Sequence, residues 1–313
     1  MNTLREALEE YLQLRRSLGF KLHDEGLQLP RFITFLEERD ITYITIGLAI
    51  KWAQHATSGQ PNEWARRIGY IRGFARYRHA DDIRTEVPPQ GILPYKSGRA
   101  QPYLYSNDEI TQLLDAALKL PTNRNSTPLR PWVFYCLFGL LSATGMRYSE
   151  ALNLLVTDVD LDQALLTIRA AKKGQDRIVP IHESTVAVLT EYLRRREAFF
   201  GPIVSAHVFV SGLGNRLDQG GVHRTFYKLS RQIGLRAEHS SHGPRIHDLR
   251  HRFAVRTLTQ WYQNGEDATR LLPVLSTYLG HIRVQDTYWY LSQWPELMSQ
   301  AMARLEKHWG DRV

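Results

Sequence analysis

Residues 80–106 read ADDIRTEVPPQGILPYKSGRAQPYLYS, with Pro88, Pro89, Pro94, Pro102 and two glycines. Proline lacks the amide hydrogen and fixes φ, so neither a helix interior nor a central strand runs through such a stretch. The chain is therefore expected to fold as two bodies on either side of an extended connection. With 313 residues, each side is long enough for a core of its own. The expected division is a helical domain over 1–84, a linker over 85–105 and a second domain over 106–313. No internal repeat is visible.

The first body reads as helices. TLREALEEYLQLRRSLGF sets Leu4, Leu8, Tyr11 and Leu12 at helical spacing and ends near Gly19. GLQLPRFITFLEER and TIGLAIKWAQHA are amphipathic as well. PNEWARRIGYIRGFARYRH carries a stripe of Trp64, Ile68, Ile71 and Ala75, with Asn62 as the expected cap. The second body begins at Ser106–Glu109, a capping-box pattern. A buried helix over about 131–142 and a helix in TGMRYSEALNL come next. LLTIRAAKKGQDRIVPIH reads as a hairpin with Lys172, Lys173, Gly174, Gln175 and Asp176 at its tip. Helices are then expected over about 183–198, 220–233, 247–263, 267–279 and 284–292, followed by an amphipathic tail, PELMSQAMARLEKHW. The expected fold class is mainly α with a small antiparallel β-sheet.

A formal charge of +8 favours an anionic partner, most commonly nucleic acid. The first body is nearly neutral, so the placement of its cations matters more than their sum. Arg66, Arg67, Arg72, Arg76 and Arg78 flank the apolar stripe of the fourth helix, and guanidinium forks in such positions match phosphate oxygens. The alternative is an ordinary solvated helix face. The single cysteine, Cys136, rules out an internal disulfide and a four-thiolate zinc site. Its setting, PWVFYCLFGLL, marks a buried thiol and fits a reducing cytosolic compartment. That run is too short to cross a bilayer, and the N-terminus carries acids early without an apolar signal core, so neither membrane insertion nor export is expected. There is no Walker loop, dinucleotide-binding glycine pattern or nucleophile elbow, and no cofactor is expected.

The chemical signal lies in polar residues at the ends of apolar helices. Arg147 follows the buried helix, with Glu150 three residues on. RIHDLRHRF sets His247, Arg250 and His251 on one or two turns, and LGH puts His281 at a helix end. Taken singly, these are ordinary salt-bridged arginines and core histidines. His247 and His251 stand at i and i+4, but no third ligand has matching spacing, so no metal is expected. Taken together, the residues resemble the tyrosine recombinase family of phage integrases, chromosome-dimer resolvases and transposon recombinases. TGMRYSEALNL is similar to the family's first box and HDLRH to its second. LGHIRVQDTYWYL is similar to the third, with Thr287 six and Tyr290 nine residues after His281. KKGQDRIVPI resembles the hairpin that carries a catalytic lysine ahead of Arg-x-Val-Pro. The boxes fall in order over residues 106–300.

The resemblance implies a helical DNA-clamping domain ahead of a tyrosine-recombinase catalytic domain. Tyr290 would attack a DNA phosphodiester to form a 3′-phosphotyrosyl bond and release a 5′-hydroxyl. Arg147 and Arg250 would hold the non-bridging oxygens. Lys173 would protonate the leaving oxygen, with Lys172 as its rival because the hairpin tip is one residue shorter than the common form. His247 and His281 would assist proton transfer, Glu150 would support the site, and His251 would pack. It also implies a site-specific recombinase or integrase acting on double-stranded DNA as a homo-tetramer on paired sites, with other recombinases or accessory proteins as further partners. Integration, excision or transposition of a mobile element would be its role. The amphipathic tail over 295–309 suits packing on a neighbouring subunit in a ring, or else on its own chain. A type IB topoisomerase or telomere resolvase would share the chemistry, and a non-catalytic relative would share the architecture.

Physical chemistry supports the roles independently. Fixed cations stabilise the charge that a phosphodiester gains at its transition state. Guanidinium forks hold oxygens, whereas lysine gives up a proton more readily. A phenol with a pKa of about 10 needs a neighbouring base or cations to become a nucleophile. On a helical projection from Val284, Thr287, Tyr288 and Leu291 share the expected core face, and Tyr290 lies opposite with Asp286 and Gln293. Tyr278 is expected to pack.

Overall fold

The computed structural model describes residues 2–55, 60–95, 101–122, 127–169, 176–201, 205–240 and 242–293. The chain divides into two units, 1–100 and 101–313. The first is built from α1 (Leu4–Ser17), α2 (His23–Glu37), α3 (Ile46–Gln54) and α4 (Pro61–His79). α1 opens on a reciprocal cap, in which the Thr3 hydroxyl accepts the Glu6 N–H at 3.2 Å and the Glu6 carboxylate accepts the Thr3 N–H at 2.8 Å. The apolar stripes expected on α1 and α4 are buried against Phe32, Ile33 and Trp52. Each large apolar side chain so buried contributes about 1.5–3 kcal/mol, which sets the faces the helices turn inward.

Two expectations need correction here. Asn62 does not cap α4: Gln60 holds that place, and Pro61 takes the first helical position, where its missing N–H is no loss. The proline-rich stretch is not a free spacer over its whole length. Thr85 is fully buried, and Val87, Ile92 and Leu93 pack on the first core. Arg72 donates from Nε to the Pro88 carbonyl at 2.7 Å and from Nη2 to the Pro89 carbonyl at 2.8 Å. Prolines cannot donate, but their carbonyls still accept. At the far end, Tyr105 is buried in the second unit, where its carbonyl accepts from Arg252 Nε at 2.9 Å.

The second unit begins with α5 (Asn107–Leu118) on the predicted Ser106–Glu109 capping box. α6 (Arg130–Thr144) is apolar on nearly every side and forms much of the core. Cys136 is buried within it, and burial pushes its thiol up to about 12. α6 stops at Gly145, whose φ is +60° and whose N–H closes on the Leu141 carbonyl at 3.0 Å. After α7 (Tyr148–Asn153), strands β1 (Val159–Asp160), β2 (Leu165–Ile168) and β3 (Arg177–Pro180) form an antiparallel sheet in the order β1-β2-β3. β2 and β3 are the predicted hairpin, while β1, with two residues, is too short for an alternating pattern to reveal. The hairpin tip, with Lys172 and Lys173, lies outside the described residues.

α8 (Glu183–Phe200), α9 (Gln219–Gln232), α10 (Asp248–Gln263), α11 (Ala268–Leu279) and α12 (Gln285–Gln293) follow, close to their predicted limits. α10, α11 and α12 enclose a smaller apolar cluster of Ala254, Val255, Leu258, Leu272, Leu275, Leu279 and Tyr290. The tail over 295–309 lies outside the described residues. Among the described residues no helix is long and apolar enough to cross a membrane, and no group of three His, Cys, Asp or Glu could hold a metal ion.

Candidate active site

Gly145 reverses the chain at the end of α6, so Arg147 stands immediately before α7 and Glu150 in its first turn. The Glu150 carboxylate accepts from the Arg147 N–H and from Arg147 Nη1, both at 2.8 Å. It also accepts a two-pronged bond from Arg177, Nη1 to Oε1 at 3.0 Å and Nη2 to Oε2 at 2.7 Å. Burial alone would raise the Glu150 pKa, but Arg177 and then Arg147 outweigh it and hold the carboxyl at about 2. Arg250, in the first turn of α10, is 3 % exposed. Its Nη1 donates to the Gly145 carbonyl at 2.9 Å and its Nη2 to the Leu279 carbonyl at 2.8 Å. Burial, then repulsion from Arg147, lowers Arg250 to about 10, which leaves it charged at neutral pH.

Three guanidiniums thus meet at the C-terminus of α11. Arg177 Nε donates to the Tyr278 carbonyl at 2.8 Å, Arg250 to that of Leu279, and Arg147 Nη2 to that of Gly280. The last carbonyls of a helix lack partners within it and carry partial negative charge, so they suit these donors. The His281 N–H closes the turn on the Ser276 carbonyl at 2.9 Å, with Gly280 at φ +69°. A Cβ on Gly280 would stand 2.9 Å from Arg177 Nη1, so the close approach of the guanidinium requires glycine. Of the three cations in this cluster, Arg147 and Arg177 pair with the Glu150 carboxylate, while Arg250 is held by backbone carbonyls alone. Fixed excess positive charge of this kind stabilises an oxyanion whose charge grows during reaction.

A line of rings adjoins the cluster. His247, immediately before α10, keeps an exposed edge, and its ring centroid lies 4.9 Å from that of His251. Desolvation by surrounding side chains, then the charge of Arg250, lowers its imidazole to about 4, so it is neutral at pH 7. His251 Nδ1 lies 3.2 Å from the Tyr290 hydroxyl. The His281 ring stacks on Tyr290 at 6.2 Å, and its Nδ1 lies 2.7 Å from Thr287 Oγ1. Arg147, Glu150, Arg250, His247, His281 and Tyr290, dispersed in sequence, are therefore brought together.

The phage integrase family model matches residues 104–296, which contain this whole constellation. The chain belongs to the phage integrase family of tyrosine recombinases. The Sinorhizobium fredii protein y4rB, which carries the name integrase/recombinase, is 55 % identical over 314 residues, covering all of both chains. The fold is similar to that of the Tn1549 transposon integrase in complex with transposon right end DNA, with a TM-score of 0.64, 16 % identity, and 98 % of this chain and 99 % of that one covered. It is also similar to a lambda integrase tetramer bound to a Holliday junction, with a TM-score of 0.62, 17 % identity, and 92 % and 77 % covered. The chain is thus an enzyme of the tyrosine-type site-specific recombinase class.

In this recombinase the two tyrosines of α12 exchange their expected faces. Tyr290 is 2 % exposed and belongs to the apolar cluster, whereas Tyr288 is 45 % exposed. Thr287, fully buried and next to His281, fixes the inward face, and Tyr290 lies three residues on, nearly one turn away. Tyr288 is turned about 100° from Thr287 and points out. Tyr278 packs as expected, half-buried, with its ring stacked on Phe253 at 5.4 Å.

Two site residues were given no part in the chemistry by the sequence. Arg177 occupies the same strand face as buried Val179, a cation in an inward register position, and that was its available signal. His251 touches the Tyr290 hydroxyl as well as packing. In the first unit, α4 does not turn all five arginines outward. Arg67 is buried, donating to the Trp52 and Ala53 carbonyls at 3.2 and 3.3 Å and stacking over the Trp52 ring. Arg78 is buried and donates to the Asn2 carbonyl, and Arg72 holds the prolines. Arg66, exposed, pairs with Glu63, and Arg76 is exposed. The interior of a small helical body needs donors for its own exposed carbonyls, and these arginines supply them.

Proposed function

We propose that this recombinase cuts and rejoins double-stranded DNA through a covalent bond between Tyr290 and a 3′-phosphate. The observation that carries the reading is the gathering of Arg147, Arg177 and Arg250 on the successive carbonyls of Gly280, Tyr278 and Leu279, at the turn leading into the helix of Tyr290. The Tyr290 oxygen attacks phosphorus, the bond to the 5′-oxygen breaks, and its electron pair leaves on that oxygen. Arg147 and Arg250 hold the non-bridging oxygens as charge builds. His251, whose Nδ1 lies 3.2 Å from the phenol, takes its proton, and His281 and the neutral His247 hydrogen-bond the phosphate. Lys173, or its neighbour Lys172, protonates the departing 5′-oxygen. The phosphotyrosyl ester keeps the energy of the broken bond, so the reverse attack by a 5′-hydroxyl reseals DNA without a nucleotide.

Arg66 and Arg76, exposed on α4, contact the DNA backbone from the first unit. The enzyme acts as a homo-tetramer on two sites, with accessory proteins or other recombinases where the element needs them, and it works in the cytoplasm on nucleoid DNA. The lambda integrase tetramer and the Tn1549 integrase, each bound to DNA, support this reading and a role in integration, excision or transposition of a mobile element. Selection of covalently captured DNA from a pool of nicked duplexes with randomised arms tests it. A defined inverted site should emerge, and two copies should exchange strands when mixed. Relaxation of supercoils or sealing of hairpin ends without exchange would favour a topoisomerase or telomere resolvase instead.

A further inference from the structure

Arg177 lies on β3 opposite Ile168, on the face that buries Val179, while Ile178 points outward at 61 % exposed. A buried arginine is tolerated where its donors find acceptors. Those of Arg177 reach both Glu150 oxygens and the Tyr278 carbonyl, and its side chain is 8 % exposed. One guanidinium therefore ties together the hairpin, α7 and the end of α11, and Gly280 leaves the room it needs.

We propose that Arg177 is a positioning residue for DNA cleavage. It fixes Glu150, which in turn aims the Arg147 fork, and it clamps the turn that carries His281. It does not itself touch the phosphate. Charge alone is insufficient for this role: a lysine offers one mobile point charge and cannot bond two carboxylate oxygens and a helix carbonyl in one plane. The inference rests on reading Arg147 as a holder of the scissile phosphate.

The test is a mutant cycle on the full-length protein, with Arg177→Lys, Arg147→Lys and the pair. Single-turnover cleavage of a nicked duplex bearing the selected site is measured beside melting temperature and DNA affinity. Arg177→Lys should stay cooperatively folded with a lowered melting temperature and bind DNA within about twofold of wild type, yet cleave about tenfold more slowly or worse under conditions where it is fully folded. The pair should be slower than Arg147→Lys alone only by the part that passes through the His281 turn, well short of the product of the two single losses, because both changes act on the same fork. Unchanged cleavage by Arg177→Lys, or losses that multiply in the pair, overturns the proposal. Wild-type cleavage by Arg147→Lys would instead remove the reading beneath it, and the cycle reports that separately. Should Arg177→Lys fail to fold, Glu150→Gln takes its place in the cycle and the same two outcomes decide.

Discussion

Gly145→Ala strikes the backbone on which one arginine of the site depends. The residue sits at φ +60°, a conformation that costs an L-residue about 1–2 kcal/mol. Its new methyl would stand 2.6, 2.8 and 3.0 Å from Cδ1, Cγ and Cβ of Phe253. Overpacking of this kind adds about 1–3 kcal/mol. The two together predict a loss of about 2–5 kcal/mol. The Gly145 carbonyl also accepts from Arg250 at 2.9 Å, and Arg250 is too buried for water to substitute. Displacing it should slow cleavage by about 10- to 100-fold in the fraction that remains folded. Gly139→Ala is the internal control, since its methyl would meet nothing closer than Leu114 Cδ2 at 3.8 Å. Inside a helix that change should be neutral or stabilise by up to about 1 kcal/mol. Urea denaturation of both variants, with single-turnover cleavage, reads the difference. If Gly145→Ala falls within about 0.5 kcal/mol of wild type, or if the two variants shift alike, the account of this turn is wrong.

Other substitutions separate structural from chemical roles. Arg67→Ala should lower first-unit stability by about 2–3 kcal/mol by removing charge-assisted bonds and a stacked ring, as denaturation will show. Arg76→Ala should leave stability alone and reduce the salt dependence of DNA binding by about one phosphate contact; a stability loss like that of Arg67→Ala would contradict its exposed placement. Tyr288→Ala should shift stability by less than about 1 kcal/mol and leave adduct yield intact, whereas Tyr290→Ala should cost about 3–5 kcal/mol; reversed magnitudes would restore the face predicted from the projection. Glu150 titrates near 2 in the folded chain against 4.5 for an unperturbed carboxyl, so its contribution is full above 4.5 and is lost as pH falls towards 2. The stability gap between wild type and Glu150→Gln should therefore shrink by about 3 kcal/mol across that window, and parallel curves would show that Arg177 and Arg147 do not hold its charge.

The helices of both units, the capping box at Ser106 and the β2–β3 hairpin were legible because each rests on local periodicity or a local cap. Motif spacing singled out Arg147, Glu150, His247, Arg250, His281 and Tyr290 as candidates, but revealed neither their geometry nor the place of Arg177 and His251 among them. Which face Tyr290 turns inward depends on Thr287 meeting His281 across a turn, and a projection of α12 alone contains no such information. Arg177, Arg147 and Arg250 come from distant segments and share the end of α11, a helix terminus whose carbonyls are visible only in three dimensions. The α4 arginines mislead for a related reason. Sequence locates a guanidinium on a helix but not the interior carbonyls of Trp52, Asn2 or Pro88 that claim it.

The most direct test of the central claim is the chemical identity of the protein–DNA linkage. Full-length protein trapped on a nicked duplex is denatured and digested, and the nucleotide-bearing peptide is sequenced by mass spectrometry. The linkage should be a 3′-phosphate ester on Tyr290, with a free 5′-hydroxyl on the released strand and no adduct with Tyr290→Phe. A linkage to Tyr288, attachment through a 5′-phosphate, or an adduct that persists in Tyr290→Phe would contradict that claim.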